Sequence, residues 1–366
     1  MLVHRAGLVS TTALLALSIT APAIARSDEP IPVVATFSIL GDMVKRIGGD
    51  HVAVTTLVGP DGDTHVFQPT PADARAVSEA KILVVNGLQF EGWLERLIDA
   101  SDFDGMRVVA TEGIEPIVFD DEHDQGGSLE VHAEEAGHEH DHDHDHDHDE
   151  QAEAGHDQDH EEHAEAAAHD RDHDHDDEAH ADAGDDHHHH GAFDPHAWQS
   201  LANAAAYVDN ITAALAVADP ANATDFYQNR SAYVAEITAL DAEIREIVAG
   251  LPADRRIVVT SHDAFQYFGR DYGLTFLAPQ GLSTESEASA QDVARLIERI
   301  RDEGISAVFI ENITDGRLLE QIAAETGATI GGTLYPGALS GPDGPASTYL
   351  DMMRHNAMTL AQALAS

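Results

Sequence analysis

Cysteine is absent from the 366-residue sequence, which excludes disulfides, thiolate metal sites and lipid attachment through a thiol. Basic residues are scarce: 19 Lys and Arg stand against 67 Asp and Glu, for a formal net charge of −48. That balance excludes the basic footprint of a nucleic-acid binder, disfavours anionic membranes and phosphate-rich ligands, and favours cations. No Gly-x-Ser-x-Gly nucleophile elbow occurs. The Gly331-Gly332 pair has no phosphate-loop pattern after it, so nucleotide binding has no basis in the sequence. Long apolar runs are missing apart from the first, where Arg5 precedes residues 6–19 and a small-x-small pattern ends at Ala25. This run is shorter than the ~20 apolar residues of a membrane span. It reads as a secretory signal peptide cut after Ala25, which makes the periplasm the expected compartment.

Histidine, by contrast, is abundant and concentrated. Residues 120–192 hold 19 of the 25 histidines, together with 29 acidic residues, one arginine (Arg171) and no aromatic residue. Such a composition buries too little apolar surface to offset the entropy of ordering the chain, so a disordered insertion is expected. His138, His140, His142, His144, His146 and His148 occupy every second position, and His187, His188, His189 and His190 are consecutive. An extended chain puts alternate side chains on one side, while repulsion among the intervening carboxylates opposes a fixed strand without metal. These histidines are expected to form an auxiliary, low-affinity collector of Zn²⁺, weaker than a preformed site because each ion must order chain.

Either side of the tract, short β-branched runs alternate with amphipathic stretches. Residues 31–37, 51–58, 81–86 and 107–111 read as strands, and 39–47, 71 onward and 92–100 as helices, with Thr70 as cap and Pro71 at the first helical position. This is the pattern of a parallel α/β lobe. Beyond the tract, residues 197–217 read as an alanine-rich helix and Asp219-Pro220 as the cap of a second that runs to Gly250, with Tyr233, Ile237, Leu240, Ile244 and Ile247 on one face. At about 1.5 Å per residue, its roughly 30 residues span about 45 Å, enough to connect two lobes. Strands at 256–260, 274–278, 307–311 and 328–334, with helices at 290–303, 316–326 and 349–364, give a second α/β series. The expected organisation is a signal peptide at 1–25, a first lobe at 26–119, the insertion at 120–192, connecting helices at 193–252 and a second lobe at 253–366.

In open α/β sheets ligands sit at the carboxyl ends of the strands. His65 lies on the turn-rich loop after the second strand, His196 follows Pro195 at the start of the connecting region, and His262 follows the first strand of the second lobe, so each is placed to line an interlobe cleft. Three neutral imidazoles suit Zn²⁺ at about 2.0–2.1 Å, with a water or carboxylate completing the tetrahedron. Their separations of 131 and 66 residues are no metal signature in themselves, and each histidine alone is compatible with an ordinary polar loop residue.

The surrounding motifs carry more. Gly59-Pro60 to His65, continuing as Val66-Phe67-Gln68-Pro69-Thr70-Pro71-Ala72-Asp73, then Asp194-Pro195-His196-Ala197-Trp198, then Ser261-His262-Asp263-Ala264-Phe265-Gln266-Tyr267-Phe268, resemble in this order the three ligand motifs of the substrate-binding proteins of bacterial zinc and manganese ABC transporters. The resemblance covers essentially the whole mature chain except the tract. It implies two parallel-sheet α/β lobes joined by a long rigid helix, with metal held between them by His65, His196 and His262. Manganese-type relatives usually place a glutamate where His262 stands, so the histidine favours zinc, as ligand softness does. Many relatives also supply a fourth ligand, an aspartate in a Tyr-x-Asp-x-Leu-Ser context. Here the run is Tyr335-Pro336-Gly337-Ala338-Leu339-Ser340, with Gly337 at that position, and water, Glu311, Asp343 or a residue of the tract remain as alternatives. Trp198, Phe265, Tyr267 and Phe268 either shield the site or simply pack. Asp263 either orients a liganding histidine or caps the following helix, and His51 and His355 are expected bystanders.

The expected function is a periplasmic protein that binds Zn²⁺ as cargo and delivers it to an inner-membrane ABC permease. The expected protein is a monomer that catalyses nothing, binds no nucleic acid, and has a periplasmic zinc metallochaperone as a second candidate partner. Competing readings are a periplasmic zinc buffer or metallochaperone dominated by the tract, a manganese- or nickel-binding transport protein, and a metal-dependent hydrolase, for which no general base is evident. Zinc bound by the full chain in excess of one tight ion should fall as pH drops through about 6.5, because metal needs neutral imidazole. A zinc titration that is flat from about pH 5 to 8 would assign the tract's binding to carboxylates instead.

Overall fold

The computed structural model describes residues 29–119 and 193–365; the expected signal peptide at 1–25, and the tract at 120–192 with its ten auxiliary histidines, lie outside the described residues. The first lobe is built on four parallel strands, β1 (Ile31–Phe37), β2 (Val52–Val58), β3 (Ile82–Val85) and β4 (Met106–Val109), in the order β2-β1-β3-β4. Its β-branched runs form strands because both faces are covered. All four residues of β3 are buried, and all but Pro32 in β1. The helices α1 (Ser38–Gly48), α2 (Pro71–Glu79) and α3 (Leu94–Ser101) supply the cover. The Thr70 expectation holds in full: its hydroxyl accepts from Ala72 and Asp73 N–H, and Asp73 returns a bond to the Thr70 N–H, with Pro71 opening α2.

The second lobe repeats the scheme. Strands β5 (Ile257–Val259), β6 (Thr275–Leu277), β7 (Ala307–Glu311) and β8 (Thr329–Leu334) are parallel and ordered β6-β5-β7-β8, the same permutation as in the first lobe. Each sheet therefore has its switch point between its first and third strands, at β1/β3 and at β5/β7. Helices α6 (Gln266–Tyr272), α7 (Ala290–Glu303), α8 (Arg317–Thr326) and α9 (Tyr349–Leu364) complete the lobe. Ser289 caps α7, and Gly304, left-handed at φ 65°, ends it.

Two helices connect the lobes: α4 (Leu201–Ala218) and α5 (Ala223–Ala249). The 27 residues of α5 span about 40 Å, touching α1 of the first lobe and both α6 and α9 of the second. Tyr233, Ile237, Leu240 and Ile244, expected on one face, are all buried. Helix α4 is long and apolar enough to cross a bilayer by composition, but its apolar residues Leu201, Val208, Ile211 and Leu215 are buried within the core.

The helix expected at 197–217 is divided. Residues Ala197–Gln199 form a 3-10 turn, and the extended Ser200 caps α4 by accepting from Asn203 N–H at 3.2 Å. The break has a tertiary cause, because Trp198 Nε1 and Gln199 Nε2 both donate to Pro336 O of the second lobe, at 2.8 and 2.7 Å. Likewise Asp219 does not start the next helix. It holds Asn222 in a turn, with Asn222 N–H on Asp219 O at 3.2 Å, and α5 begins at Ala223.

One hydrophobic core runs without interruption from β1 and α1 through Trp198, α4 and α5 to Phe265, Phe268, Phe276 and α9, while a smaller cluster of Val259, Leu296, Ile300, Val308 and Ile322 fills the outer side of the second sheet. Gly269 marks the tightest approach near the site: a β-carbon there would lie 2.6 Å from the Leu274 carbonyl oxygen. Because backbone cannot give way as a side-chain tip does, Gly269→Ala should destabilise the protein by about 1–3 kcal/mol. Thermal or denaturant unfolding checks this.

Candidate metal centre

Three histidines from distant parts of the chain meet where the lobes face each other. His65 lies within the loop between β2 and α2, where its N–H donates to Asp63 Oδ1 at 2.9 Å and the preceding carbonyl, Thr64 O, accepts from Trp93 Nε1 at 2.8 Å. His196 follows Pro195, whose ring fixes one backbone dihedral, and its N–H donates to Asp194 Oδ1 at 2.9 Å. His262 stands three residues beyond β5, at the switch point of the second sheet. Their relative exposures are 8%, 0% and 0%, so the three rings form a dry centre.

The ligand nitrogens of the three rings all lie within 4.8 Å of one another, and among the described residues this is the only such group of three. His65 Nε2 and His196 Nε2 are 3.4 Å apart. Tetrahedral zinc with bonds of about 2.0–2.1 Å separates its ligands by roughly 3.3–3.4 Å, so this edge has the required length.

Two buried carboxylates decide which nitrogens face inward. Asp194 Oδ1 lies 2.8 Å from His196 Nδ1, and Glu311 Oε2 lies 2.5 Å from His262 Nδ1. A carboxylate accepts, so each Nδ1 carries the proton and each Nε2 offers its lone pair. His262 Nε2 is buried without a hydrogen-bond partner, an arrangement that costs free energy unless a ligand satisfies it. That orphaned acceptor, beside two further imidazole nitrogens, is what a borderline-soft divalent cation binds.

The electrostatics point the same way. Burial pushes the Asp194 carboxyl up to about 7, against the lowering effects of the His196 N–H and the His262 charge. Burial drives the His196 ring well below its usual range, and repulsion from His262 adds to this. Burial would lower His262 too, but the charge and hydrogen bond of Glu311 outweigh it and raise the ring above its usual range. Burial thus works against both the Asp194 carboxylate and a charged His196, and a cation binding at the Nε2 atoms displaces the proton that Glu311 favours on His262.

Of the candidate fourth ligands, Glu311 is already engaged. Its Oε2 faces His262 Nδ1 and its Oε1 accepts from Ser261 N–H at 3.1 Å and His262 N–H at 3.2 Å, which makes it the orienter of a ligand. Asp343 is exposed on the turn closed by Gly344 N–H and Gly341 O. Gly337 is buried, and a β-carbon there would meet only Trp198 Cζ2, at 3.7 Å, so glycine is not sterically required. Asp263 Oδ1 accepts from Gln266 Nε2 at 2.6 Å and its charge helps raise the His262 ring, while α6 has no side-chain cap, so the capping alternative fails.

Trp198 lines the centre, its ring 5.3 Å from that of His196. Phe265 and Phe268 pack on Phe276 in the second lobe, and the Tyr267 hydroxyl donates to Asp194 O at 2.9 Å. Phe90, which no sequence pattern singled out, is the wall shared by the first lobe's ligands, 4.9 Å from His65 and 5.8 Å from His196 between centroids. His51 and His355 have partners elsewhere, Asp225 and the Thr333 carbonyl. Asp194 was legible as part of its motif though not in its role. Glu311 was singled out only as an alternative fourth ligand, and its orienting role carried no local signal, because it lies 49 residues from the ring it holds.

Residues 33–363 match the family model for zinc-uptake complex component A, periplasmic (ZnuA). The iron-binding protein YfeA of Yersinia pestis is 29% identical over 330 residues, covering 90% of this chain and 85% of that protein. The manganese-binding lipoprotein MntA of Bacillus subtilis (strain 168) is 28% identical over 343 residues, covering 92% and 91% respectively. Among solved structures, the periplasmic zinc binding protein TroA from Treponema pallidum aligns with a TM-score of 0.69 at 27% identity, covering 92% of this chain and all of that one.

Removing the proton acceptor behind a ligating imidazole should weaken cation binding. Glu311→Gln and Asp194→Asn are each expected to cost roughly ten- to a hundredfold in zinc affinity, measured by competition with a chromophoric chelator. Unchanged affinity in both would mean that the carboxylates do not set the ring orientation.

Proposed function

Because the chain belongs to the periplasmic zinc-uptake component A family, the metal-binding components of ABC transporters rather than enzymes, we propose that its cargo is Zn²⁺, bound by His65, His196 and His262 and delivered to an inner-membrane permease. The observation that carries this reading is the convergence of three buried imidazoles, two of them held by carboxylates with Nε2 directed inward. Three neutral nitrogen donors, with no carboxylate in the ligand group among the described residues, favour zinc over manganese, which prefers oxygen. Relatives named for iron, manganese and zinc all match over most of this chain, so the donor set and not the family is the argument for zinc. With Gly337 where many relatives carry aspartate, a water completes the tetrahedron in this reading.

Delivery requires the cation to be reached when the lobes part. Three cross-lobe bonds tie the ligand loop of His65 to the second lobe: Thr284 Oγ1 donates to Asp63 Oδ2 at 2.6 Å, Asn312 Nδ2 to Asp61 Oδ1 at 2.9 Å, and Asp61 N–H to Leu339 O at 2.8 Å. These are few and polar, and they break at lower cost than the continuous core behind them. An N-terminal secretory segment ending at Ala25 and capture of extra zinc by the 120–192 tract complete the proposal.

The decisive experiment is a zinc titration of the chain lacking residues 120–192. One tight ion per chain is expected, abolished by His196→Ala. Loss of tight binding on deletion, or tight binding that survives His196→Ala, would instead favour a zinc buffer dominated by the tract. Preference for Mn²⁺ over Zn²⁺ in the same titration would overturn the cargo assignment.

A further inference from the structure

Behind the edge formed by His65 and His196 lies another buried carboxylate. Glu91 is 6% exposed, and its Oε1 accepts from Thr36 Oγ1 at 2.6 Å and Asn86 N–H at 2.7 Å, its Oε2 from Gly87 N–H at 3.4 Å. These bonds close residues 86–91 into a ring at the carboxyl end of β3, beside β1. Three consecutive residues of the ring, Gly87, Leu88 and Gln89, have φ of 91°, 54° and 60°. Glycine adopts such values freely, but leucine and glutamine do so only under constraint. Strain of this kind persists where the surroundings over-determine it, and here the Glu91 carboxylate, two residues beyond the strained run, bonds back to the amides at its start. The next residue is Phe90, the wall against both first-lobe ligands.

Asn86 reaches the other way. Its Nδ2 donates to Gly87 O at 3.0 Å and to Pro195 O at 2.9 Å, directly before His196, and its Oδ1 accepts from the Tyr207 hydroxyl at 2.6 Å. Its carbonyl accepts from Thr111 Oγ1 at 2.7 Å. Every polar group of Asn86 is used, so the side chain has no freedom to follow a displaced ligand segment.

We propose that Glu91 and Asn86 are positioning residues for the cargo ion: the ring they close sets the separation of His65 and His196, so that the first lobe presents a preformed two-nitrogen half-site to which His262 is added. The proposal rests on the three histidines being the ligands. The second lobe supports it by analogy of position. Glu311, at the end of β7 beside β5, accepts two backbone N–H groups at the equivalent switch point and gives its remaining oxygen to the ligand ring itself. In the first lobe the matching carboxylate takes the Thr36 hydroxyl instead, and it reaches the ligands through Phe90 and Asn86.

The test uses the full chain with Glu91→Gln, Asn86→Asp and Tyr207→Phe, and with Ile98→Ala as a variant that loosens first-lobe packing away from the ring. Three quantities are read: the unfolding temperature of the metal-free protein, zinc affinity by chelator competition, and the visible ligand-field spectrum with Co²⁺ in place of Zn²⁺. Glu91→Gln and Asn86→Asp should lose roughly ten- to a hundredfold in affinity and shift the Co²⁺ bands. Tyr207→Phe should shift them less, and Ile98→Ala should lower only the unfolding temperature. Wild-type affinity and spectrum in Tyr207→Phe and Glu91→Gln, or losses no greater than those of Ile98→Ala, would overturn the proposal. Should Asn86→Asp fail to fold, Glu91→Gln and Tyr207→Phe decide the matter alone. His196→Ala separates the two levels: if it retains tight binding, the ligand assignment itself is wrong, whereas loss of binding there with none in the Glu91 and Asn86 variants removes only the positioning role.

Discussion

A carboxylate buried at the carboxyl end of a parallel strand is the constraint on which the rest of the structure depends. Moving such a group out of water costs several kcal/mol, and the cost is tolerable only where N–H donors converge on it. The switch point of a parallel sheet offers them, because neighbouring chains leave it in opposite directions and their first amides are free. Glu311 and Glu91 each occupy one, and Asp194 builds a similar nest from the His196 amide and ring. Burial pushes Glu91 and Asp194 toward their neutral forms, and holding either as a carboxylate demands nearby donors or positive charge. In the proposed function a divalent cation at the three imidazole nitrogens meets that demand, and a protein that holds it gains stability by mass action.

The scaffold makes this demand specific. Because one core extends from the first sheet through α4 and α5 into the second lobe, the lobes share a rigid spine, and the ligand loops are carried on its two sides. Trp198 belongs to both, packing on Phe37 and Phe90 while its indole N–H and carbonyl bind Pro336 and the Tyr349 hydroxyl. Polar contacts around Asp61 and Asp63, next to His65, join the lobes beyond this spine. The Asp63 carboxylate accepts from both the His65 amide and the Thr284 hydroxyl, so one side chain serves a proposed ligand loop and a contact between the lobes.

Much of the fold was legible because it rests on local chemistry. Apolar β-branched runs too short for helices had to be buried strands, and Thr70-Pro71 and Gly304 punctuate helices by their own dihedral preferences. The failures are equally physical. The helix expected from residue 197 is interrupted because Trp198 and Gln199 are drawn to Pro336, a contact 137–138 residues away in sequence. Asp219 reads as a helix cap but serves a turn, because Asn222 competes for it at close range.

For the site, the resemblance of three sequence motifs to known ligand motifs singled out His65, His196 and His262 as the proposed donors of neutral nitrogen, with no thiol to compete and each placed at a strand end or an approach to one. What only the tertiary structure decided is which nitrogen of His196 and of His262 faces the shared centre and what holds it there. A histidine has two nitrogens, and the choice is made by the partner of the other one. Glu311 and Phe90 are brought to the site by the sheet order, not by sequence spacing. The histidine-rich tract advertises metal chemistry by composition. The centre between the lobes depends on three isolated histidines and buried acids, whose meaning appears only when the strand ends that carry them are brought together.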